Sequence, residues 1–291
     1  MAISTSFLLS FLVVVAGCQQ EYNFRSFAPM ILTDSHTHLY YTTDPEQRSG
    51  LISRCSESQV KRLFLPNVNA ATIPLVYGLC EEFPETCFPM LGLHPCDVKE
   101  LANQENLAYR DELNAIRQAM ETRKFYAIGE IGIDLYWDKT TLAIQQDAFK
   151  KQIAWAKEFD LPIVIHCREA FDEIFAIMDQ EKDEKLRGIF HCFTGTAEQA
   201  QKVIDLGFLL GIGGVVTYKN SGLDKVVAGL DLENIVLETD SPYLTPVPYR
   251  GKPNESSYLV YIAQKVADLK LTSIEEVARI TTENTRRVFG I

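Results

Sequence analysis

The chain has 291 residues, 46% of them hydrophobic and 23% charged, which is an ordinary globular composition long enough to bury a full core without covalent staples. A net charge of -11 argues against tight, non-specific binding to duplex nucleic acid, which depends on many Lys/Arg–phosphate contacts, although divalent ions at a site can supply positive charge that side-chain counting misses. Seven cysteines, odd in number and scattered with no CxxC pair, exclude a disulfide framework or a zinc ribbon and fit a reducing, cytoplasmic setting.

The first 29 residues stand apart from the rest. SFLLSFLVVVAGC, ending at Cys18, resembles a lipoprotein signal with its acceptor cysteine and is too short to span a bilayer. The preceding MAISTS carries no Lys or Arg, unlike a secretory n-region, so translation beginning at Met30 is the preferred expectation and an exported lipoprotein anchored through Cys18 the alternative. On either reading residues 1–29 are an extension, residues 30–291 form one domain, and no stable membrane partner is expected.

From Ile31 onward short apolar runs alternate with longer segments of helical spacing. Eight strands are predicted: Ile31–Asp34, Arg62–Pro66, Phe88–Gly92, Tyr126–Glu130, Ile163–His166, Gly188–His191, Phe208–Ile212 and Ile235–Glu238. Helices are predicted between and after them over Leu101–Lys124, Leu142–Phe159, Ala197–Leu206 and from Ser273 towards Phe289. Eight βα units in this length predict a (β/α)8 TIM barrel. An open doubly wound sheet would gather ligands at one crevice instead. The glycines of GIGGVV (Gly211, Gly213, Gly214) lack the GxGxxG spacing of a dinucleotide loop.

All five histidines fall where a predicted strand ends: His36 and His38 in ILTDSHTHL, His94 in MLGLHP, His166 in LPIVIHC and His191 in GIFHCF. Two further strands end in acids, Glu130 in AIGEIGID and Asp240 in NIVLETD. Imidazole and carboxylate are the usual ligands of catalytic divalent metals, and a barrel gathers its strand ends at the C-terminal face. His36 and His38, two apart on an extended segment, point to one side and can grip one ion. Glu130 has two oxygens and can bridge two ions, which in phosphoester hydrolysis lie about 3.5–4 Å apart. His166 and His191 close consecutive strands and can hold the second ion. Asp240 can bind a metal and is the best general-base candidate. Glu238, two residues earlier, is expected to face the same side and to orient water or tune Asp240. Cys167 and Cys192 read as packing residues.

These motifs, in this order, resemble the TatD family of metal-dependent deoxyribonucleases. The matching stretches are TDSHTHL, LGLHP, AIGEIGIDLYW, VIHCREA, FHCFTGT, GIGGVVTYKN and ETDSPYLTPVPYRGKPNE, so the resemblance covers nearly everything after Met30. It implies a barrel with two divalent ions (Mg, Mn or Zn) on His36, His38, Glu130, His166, His191 and Asp240. It further implies substrate contacts at His94 and Arg168, and catalytic help from Glu238. Cys96 stands where many relatives carry histidine, Ser256 where the family often has proline, and the N-terminal extension is foreign to the typical member.

The expected activity is therefore hydrolysis of phosphodiester bonds in short or single-stranded DNA ends by a two-metal activated water, with Arg168 and His94 holding a phosphate and Tyr136 and Trp137 offering stacking faces for an exposed base. Two rivals remain at this level. One is a barrel amidohydrolase or esterase, including deacylation of mischarged aminoacyl-tRNA. The other is a non-enzymatic docking module, whose sign would be lost ligand residues.

Overall fold

The structure is a computed structural model that describes residues 30–102, 108–137 and 139–291, without the side chains of 99–102. The signal-like segment and Cys18 lie outside the described residues. Eight parallel strands alternate with helices: β1 Leu32–Asp34, α1 Pro45–Glu57, β2 Val60–Pro66, α2 Ile73–Glu82, β3 Cys87–Met90, α3 Pro95–Ala102, α4 Ala108–Thr122, β4 Ile128–Asp134, α5 Leu142–Phe159, β5 Ile163–Arg168, α6 Phe171–Glu181, β6 Gly188–Phe190, α7 Ala197–Asp205, β7 Leu209–Ile212, α8 Leu223–Gly229, β8 Ile235–Leu237, α9 Leu259–Lys270 and α10 Ile274–Phe289. Strands β1–β3 pair in sequence order, as do β4–β8. The two runs join through a parallel bridge between Leu91 and Ile128 and a bond from Gly129 N–H to the Leu91 carbonyl at 2.9 Å. The opposite seam closes where Ser35 N–H donates to Leu237 O at 3.0 Å and Asp240 N–H to His36 O at 2.9 Å. The result is the expected (β/α)8 barrel, and the second seam ties two of the candidate ligand residues directly together.

Strand side chains alternate between two cores, as the twofold periodicity of an extended chain requires. On β2 and β5, Leu63, Leu65, Ile163 and Ile165 face the helices, while Phe64 and Val164 face the lumen. The lumen core also takes Met90, Ala127, Ile189, Leu209 and Val236, and α10 completes it from below with Val288 and Phe289. The Phe289 ring stacks on Phe64 with centroids 4.1 Å apart. Helix α10 starts at its N-cap Ser273, whose side chain accepts Glu276 N–H at 3.2 Å, and stops at Gly290 in the left-handed region. Its Thr282 hydroxyl donates to Ile31 O at 2.9 Å, so the last helix is bonded to the first strand. Among the described residues no helix is long and apolar enough to cross a membrane.

Two expectations need correction. The helix predicted over Leu101–Lys124 falls on two elements: Leu101 and Ala102 end α3, which Pro95 opens, and Ala108–Thr122 form α4, with 103–107 outside the described residues. The fourth strand was predicted to end at Glu130 but runs on to Asp134. Its register with β5 shifts between Ile128 and Ile131, after which Gly132 pairs with His166 and Asp134 with Arg168. Glu130 therefore sits within a strand irregularity rather than at a strand end. Gly129 permits it, since a Cβ there would lie 2.6 Å from Val164 Cβ.

Truncating the lumen plug tests the account. Phe289→Ala is expected to cost about 3 kcal/mol, the low end for a buried Phe→Ala change, and to lower Tm by about 6–12 °C for a domain of this size. Metal affinity at the far end of the barrel should stay within about twofold of wild type. Thermal unfolding and calorimetric metal titration check the two halves.

Candidate metal centre

All of the expected ligand residues converge at the C-terminal mouth of the barrel, around the carboxylate of Glu130. The two oxygens of that carboxylate face different partners. Oε2 lies 3.2 Å from His36 Nε2 and 3.7 Å from His38 Nε2. Oε1 lies 2.8 Å from His166 Nδ1, 3.1 Å from His191 Nε2 and 3.3 Å from His94 Nε2. Asp240 closes the first side, with Oδ1 3.5 Å from His38 Nε2 and 3.8 Å from His36 Nε2. Three overlapping sets of ligand atoms, His36/His38/Glu130, His36/His191/Asp240 and His94/Glu130/His166, each lie within 4.8 Å of one another. The His36 and His38 Nε2 atoms face each other at 3.2 Å. Two nitrogen lone pairs and two carboxylates pointing at one space form an arrangement that a cation satisfies and that neutral side chains alone do not.

The outer nitrogen of most of these rings is also held, which fixes ring orientation. His166 Nε2 meets Asp134 Oδ2 at 3.0 Å, and His191 Nδ1 meets Glu238 Oε1 at 3.1 Å. His38 Nδ1 meets the Tyr40 hydroxyl at 2.9 Å. His36 Nδ1 is buried with no hydrogen-bond partner among the described residues, and the ring is held by stacking on His191 at 3.7 Å. His94 differs in kind. Its Nδ1 accepts Cys96 N–H at 3.1 Å, so in the neutral ring the proton sits on Nε2, the atom that faces Glu130. That makes His94 a hydrogen-bond donor into the site.

Charge follows from this geometry. Burial opposes ionisation of Glu130, but His94, His191 and His36 beside it and the His166 hydrogen bond hold its carboxyl well below the usual range. Burial opposes charge on His191 as well, yet Glu130 and Glu238 on its two sides hold it well above an ordinary imidazole. His166, caught between Asp134 and Glu130, is raised against its burial in the same way. The Asp240 carboxyl is lowered despite burial, by the His38 hydrogen bond and the nearby His191 and His36, and is therefore ionised at neutral pH.

Glu238 follows β8 but does not share the orientation of Asp240. Its Oε1 engages His191 and accepts Cys192 N–H at 2.5 Å, an amide turned inward by the left-handed φ of 47° at Cys192. Its carboxylate fits because Gly211 on β7 has no side chain: a Cβ there would lie 2.3 Å from Glu238 Oε2. The GIGG glycines thus include one that gives clearance to a buried acid. Cys167, within β5, packs partly buried against the helix-facing core as expected and also lines the mouth cavity, whereas Cys192, just past β6 with a left-handed φ of 47°, is half-buried and lines that cavity. Arg168 ends β5 and is exposed at this mouth, its guanidinium 3.7 Å from the centre of the Tyr136 ring. The cavity has a volume of about 620 Å³.

Two functional residues escaped the sequence reading. Asp134 lies four residues after Glu130 and so shares its face of β4; extending the strand past Gly132 would have exposed it. Asp34 is fully buried at the β1–β8 seam, where it accepts Thr239 N–H at 2.9 Å, the Thr239 hydroxyl at 2.6 Å and His36 N–H at 3.3 Å. It clamps the two loops that carry His36 and Asp240, and burial pushes its carboxyl up to about 7 against those hydrogen bonds.

Comparison with known proteins bears directly on this arrangement. The family model described as TatD related DNase matches residues 33–290. The chain belongs to the TatD family. It is 41% identical over 265 residues to the uncharacterized metal-dependent hydrolase YabD of Bacillus subtilis, covering 90% of this chain and 100% of that one. It is 31% identical over 264 residues to the 3'-5' ssDNA/RNA exonuclease TatD of Pantoea ananatis, covering 89% and 99%. Among solved structures it resembles the TatD homologue YjjV of Escherichia coli K12, with a TM-score of 0.81, 27% identity and coverage of 89% and 98%. Taken together, the protein is a metal-dependent hydrolase of the TatD family, with a His/Glu/Asp cluster able to hold metal at its barrel mouth.

Gly211→Ala tests the support behind His191. The new methyl group has no room unless Glu238 moves, and Glu238 cannot move without releasing His191. The expected result is a 10- to 100-fold loss of metal affinity by calorimetry, the usual cost of losing a group that orients a histidine ligand, with the circular dichroism spectrum of a folded barrel retained.

Proposed function

We propose that the protein is a deoxyribonuclease that cleaves phosphodiester bonds at short or single-stranded DNA ends, using two divalent ions. The observation that carries the reading is the split engagement of Glu130, with Oε2 towards His36 and His38 and Oε1 towards His166 and His191. On this reading His36, His38 and Asp240 would hold one ion and His166 and His191 the other, with the Glu130 carboxylate available to both. Such ions activate water and neutralise charge that develops on a phosphoryl group.

The protein's own groups have separate tasks. Asp240, ionised and half-buried at the cavity wall, accepts the proton of the attacking water. His94 donates from Nε2 to a phosphoryl oxygen, which fits its fixed tautomer. Arg168 supplies the cationic contact at the mouth. Glu238 acts through His191, holding the ring at the angle that presents Nε2, and is a positioning residue. The substrate class draws support from the family description and from the exonuclease activity in the name of the Pantoea ananatis relative. The acidic net charge of -11 favours frayed or single-stranded ends over long duplexes.

The deciding assay compares labelled single-stranded DNA, duplex DNA and a panel of acyl esters with metal-reconstituted protein. Rapid cleavage of single strands that stops with chelator is expected; exclusive turnover of acyl esters would replace this reading with the esterase one. Glu130→Ala should abolish turnover while circular dichroism remains that of the folded barrel. Arg168→Ala should raise KM for an oligonucleotide about tenfold or more and leave metal affinity unchanged, since one charge-assisted phosphate contact is worth roughly 1.5–3 kcal/mol. The raised pKa values of His166 and His191 fix the sign of the pH effect. Both rings must lose a proton to bind an ion, so metal affinity should rise with pH through and above the ordinary imidazole value of about 6.5. Calorimetric titration across that range checks it; an affinity that rises as pH falls would contradict the ligand assignment.

A further inference from the structure

Every large aromatic side chain that is exposed among the described residues lies at the barrel mouth: Tyr41 at 41%, Tyr136 at 48%, Trp137 at 64% and Tyr243 at 54%. They form two groups. Tyr136 and Trp137 follow β4 and meet edge to face at 4.8 Å. Tyr41 and Tyr243 follow β1 and β8, with ring centroids 5.7 Å and 6.1 Å from His38. In a ring ordered β4-β5-β6-β7-β8 and closed through β1, the β8–β1 seam lies across the mouth from β4 and β5. The two groups therefore flank Glu130 from opposite sides, one beyond His38 and the other beyond His166. Tyr41, Trp137 and Tyr243 all line the same cavity.

The faces are not equivalent. Tyr136 has one face covered by Arg168, whose guanidinium lies 3.7 Å from its centroid and 5.6 Å from that of Trp137. The more exposed Trp137 is thus the open face on that side, with a cation beside it. Leaving large apolar rings in water is unfavourable, and stacking with a planar partner recovers that loss. Arg168 is the one Lys or Arg among the described residues that line the cavity, so a polyanionic ligand finds few phosphate contacts from side chains here. Stacking supplies affinity that does not need them. A cavity of about 620 Å³ suits a ligand the size of one or two nucleotides and not a duplex.

We infer that Trp137 and Tyr243 are two nucleobase-stacking platforms on opposite sides of the metal centre, which splay the bases flanking the scissile phosphate of a single-stranded substrate. Arg168, on the Trp137 side, holds the phosphate next to the base stacked there. This rests on the deoxyribonuclease reading and adds to it that the bases, and not the backbone alone, are recognised, without a hydrogen-bond code and so with little sequence preference.

The test uses the metal-loaded full chain and phosphorothioate oligonucleotides, which resist turnover, in base-bearing and abasic forms of equal length. The chain has two tryptophans, so a Trp155→Phe background isolates the emission of Trp137. Base-bearing strands should quench that emission and bind more tightly than abasic ones by roughly 5- to 150-fold for each stacked base. Measured by polarisation of a labelled strand, Trp137→Ala and Tyr243→Leu should each lower this ratio about fivefold or more, the double variant should bring it to within about threefold of one, and Trp137→Phe should keep most of it. Equal affinity for the two strands, or a ratio that survives both Trp137→Ala and Tyr243→Leu, would overturn the inference. Cleavage assays on ordinary phosphodiester strands separate the two readings. Base-selective binding without cleavage supports the platforms and removes the nuclease activity; cleavage without base selectivity retains the nuclease and removes the platforms.

Discussion

A carboxylate buried at the mouth of an apolar barrel is the constraint around which the upper half of this molecule is organised. Glu130 is 2% exposed, and an isolated ion in that position would cost several kcal/mol of lost hydration. Five imidazoles and three further acids surround it: Asp134, Glu238 and Asp240. With protons alone the cluster balances its charge by keeping His166 and His191 protonated between pairs of carboxylates. Divalent ions held there would reach the same balance with neutral rings, so metal and protons would compete for one charge deficit.

Holding so many polar groups at set angles falls to residues that never face the cavity. Asp34 fastens the His36 and Thr239 loops across the closing seam. Gln145 accepts Asp134 N–H at 2.8 Å, which keeps Asp134 behind His166. Missing side chains matter as much: the absence of a Cβ at Gly129 lets β4 pass Val164 with its register irregular, and the absence at Gly211 leaves space for the Glu238 carboxylate. The face that carries the cluster is therefore specified on at least five strands at once, which is why its motifs are spread along the chain and not concentrated in one.

The barrel and the ligand cluster were legible in the sequence because period-two apolar runs and the residues that end them survive as linear patterns. His36, His38, His94, His166 and His191 each follow such a run. What could not be read were features set by register. The run of β4 beyond Glu130 to Asp134 depends on a pairing shift with β5, and nothing in AIGEIGID marks it. The turning away of Glu238 from Asp240 depends on β8 ending at Leu237 and on the left-handed φ of 53° at Asp240, which break the alternation of an extended strand.

The stacking of Phe289 on Phe64 reaches beyond stability to the order in which the molecule can be finished. The floor of the lumen is supplied by a helix that follows all eight strands in the chain, and the first strand is bonded to that same helix. During synthesis the early βα units emerge with neither their lumen filled nor β1 covered, and no amount of waiting lets them complete the ring without the tail. Closure therefore waits until α10 has been made. A nascent chain stalled short of Phe289 would carry an open apolar channel, the kind of surface that chaperones recognise and that seeds aggregation.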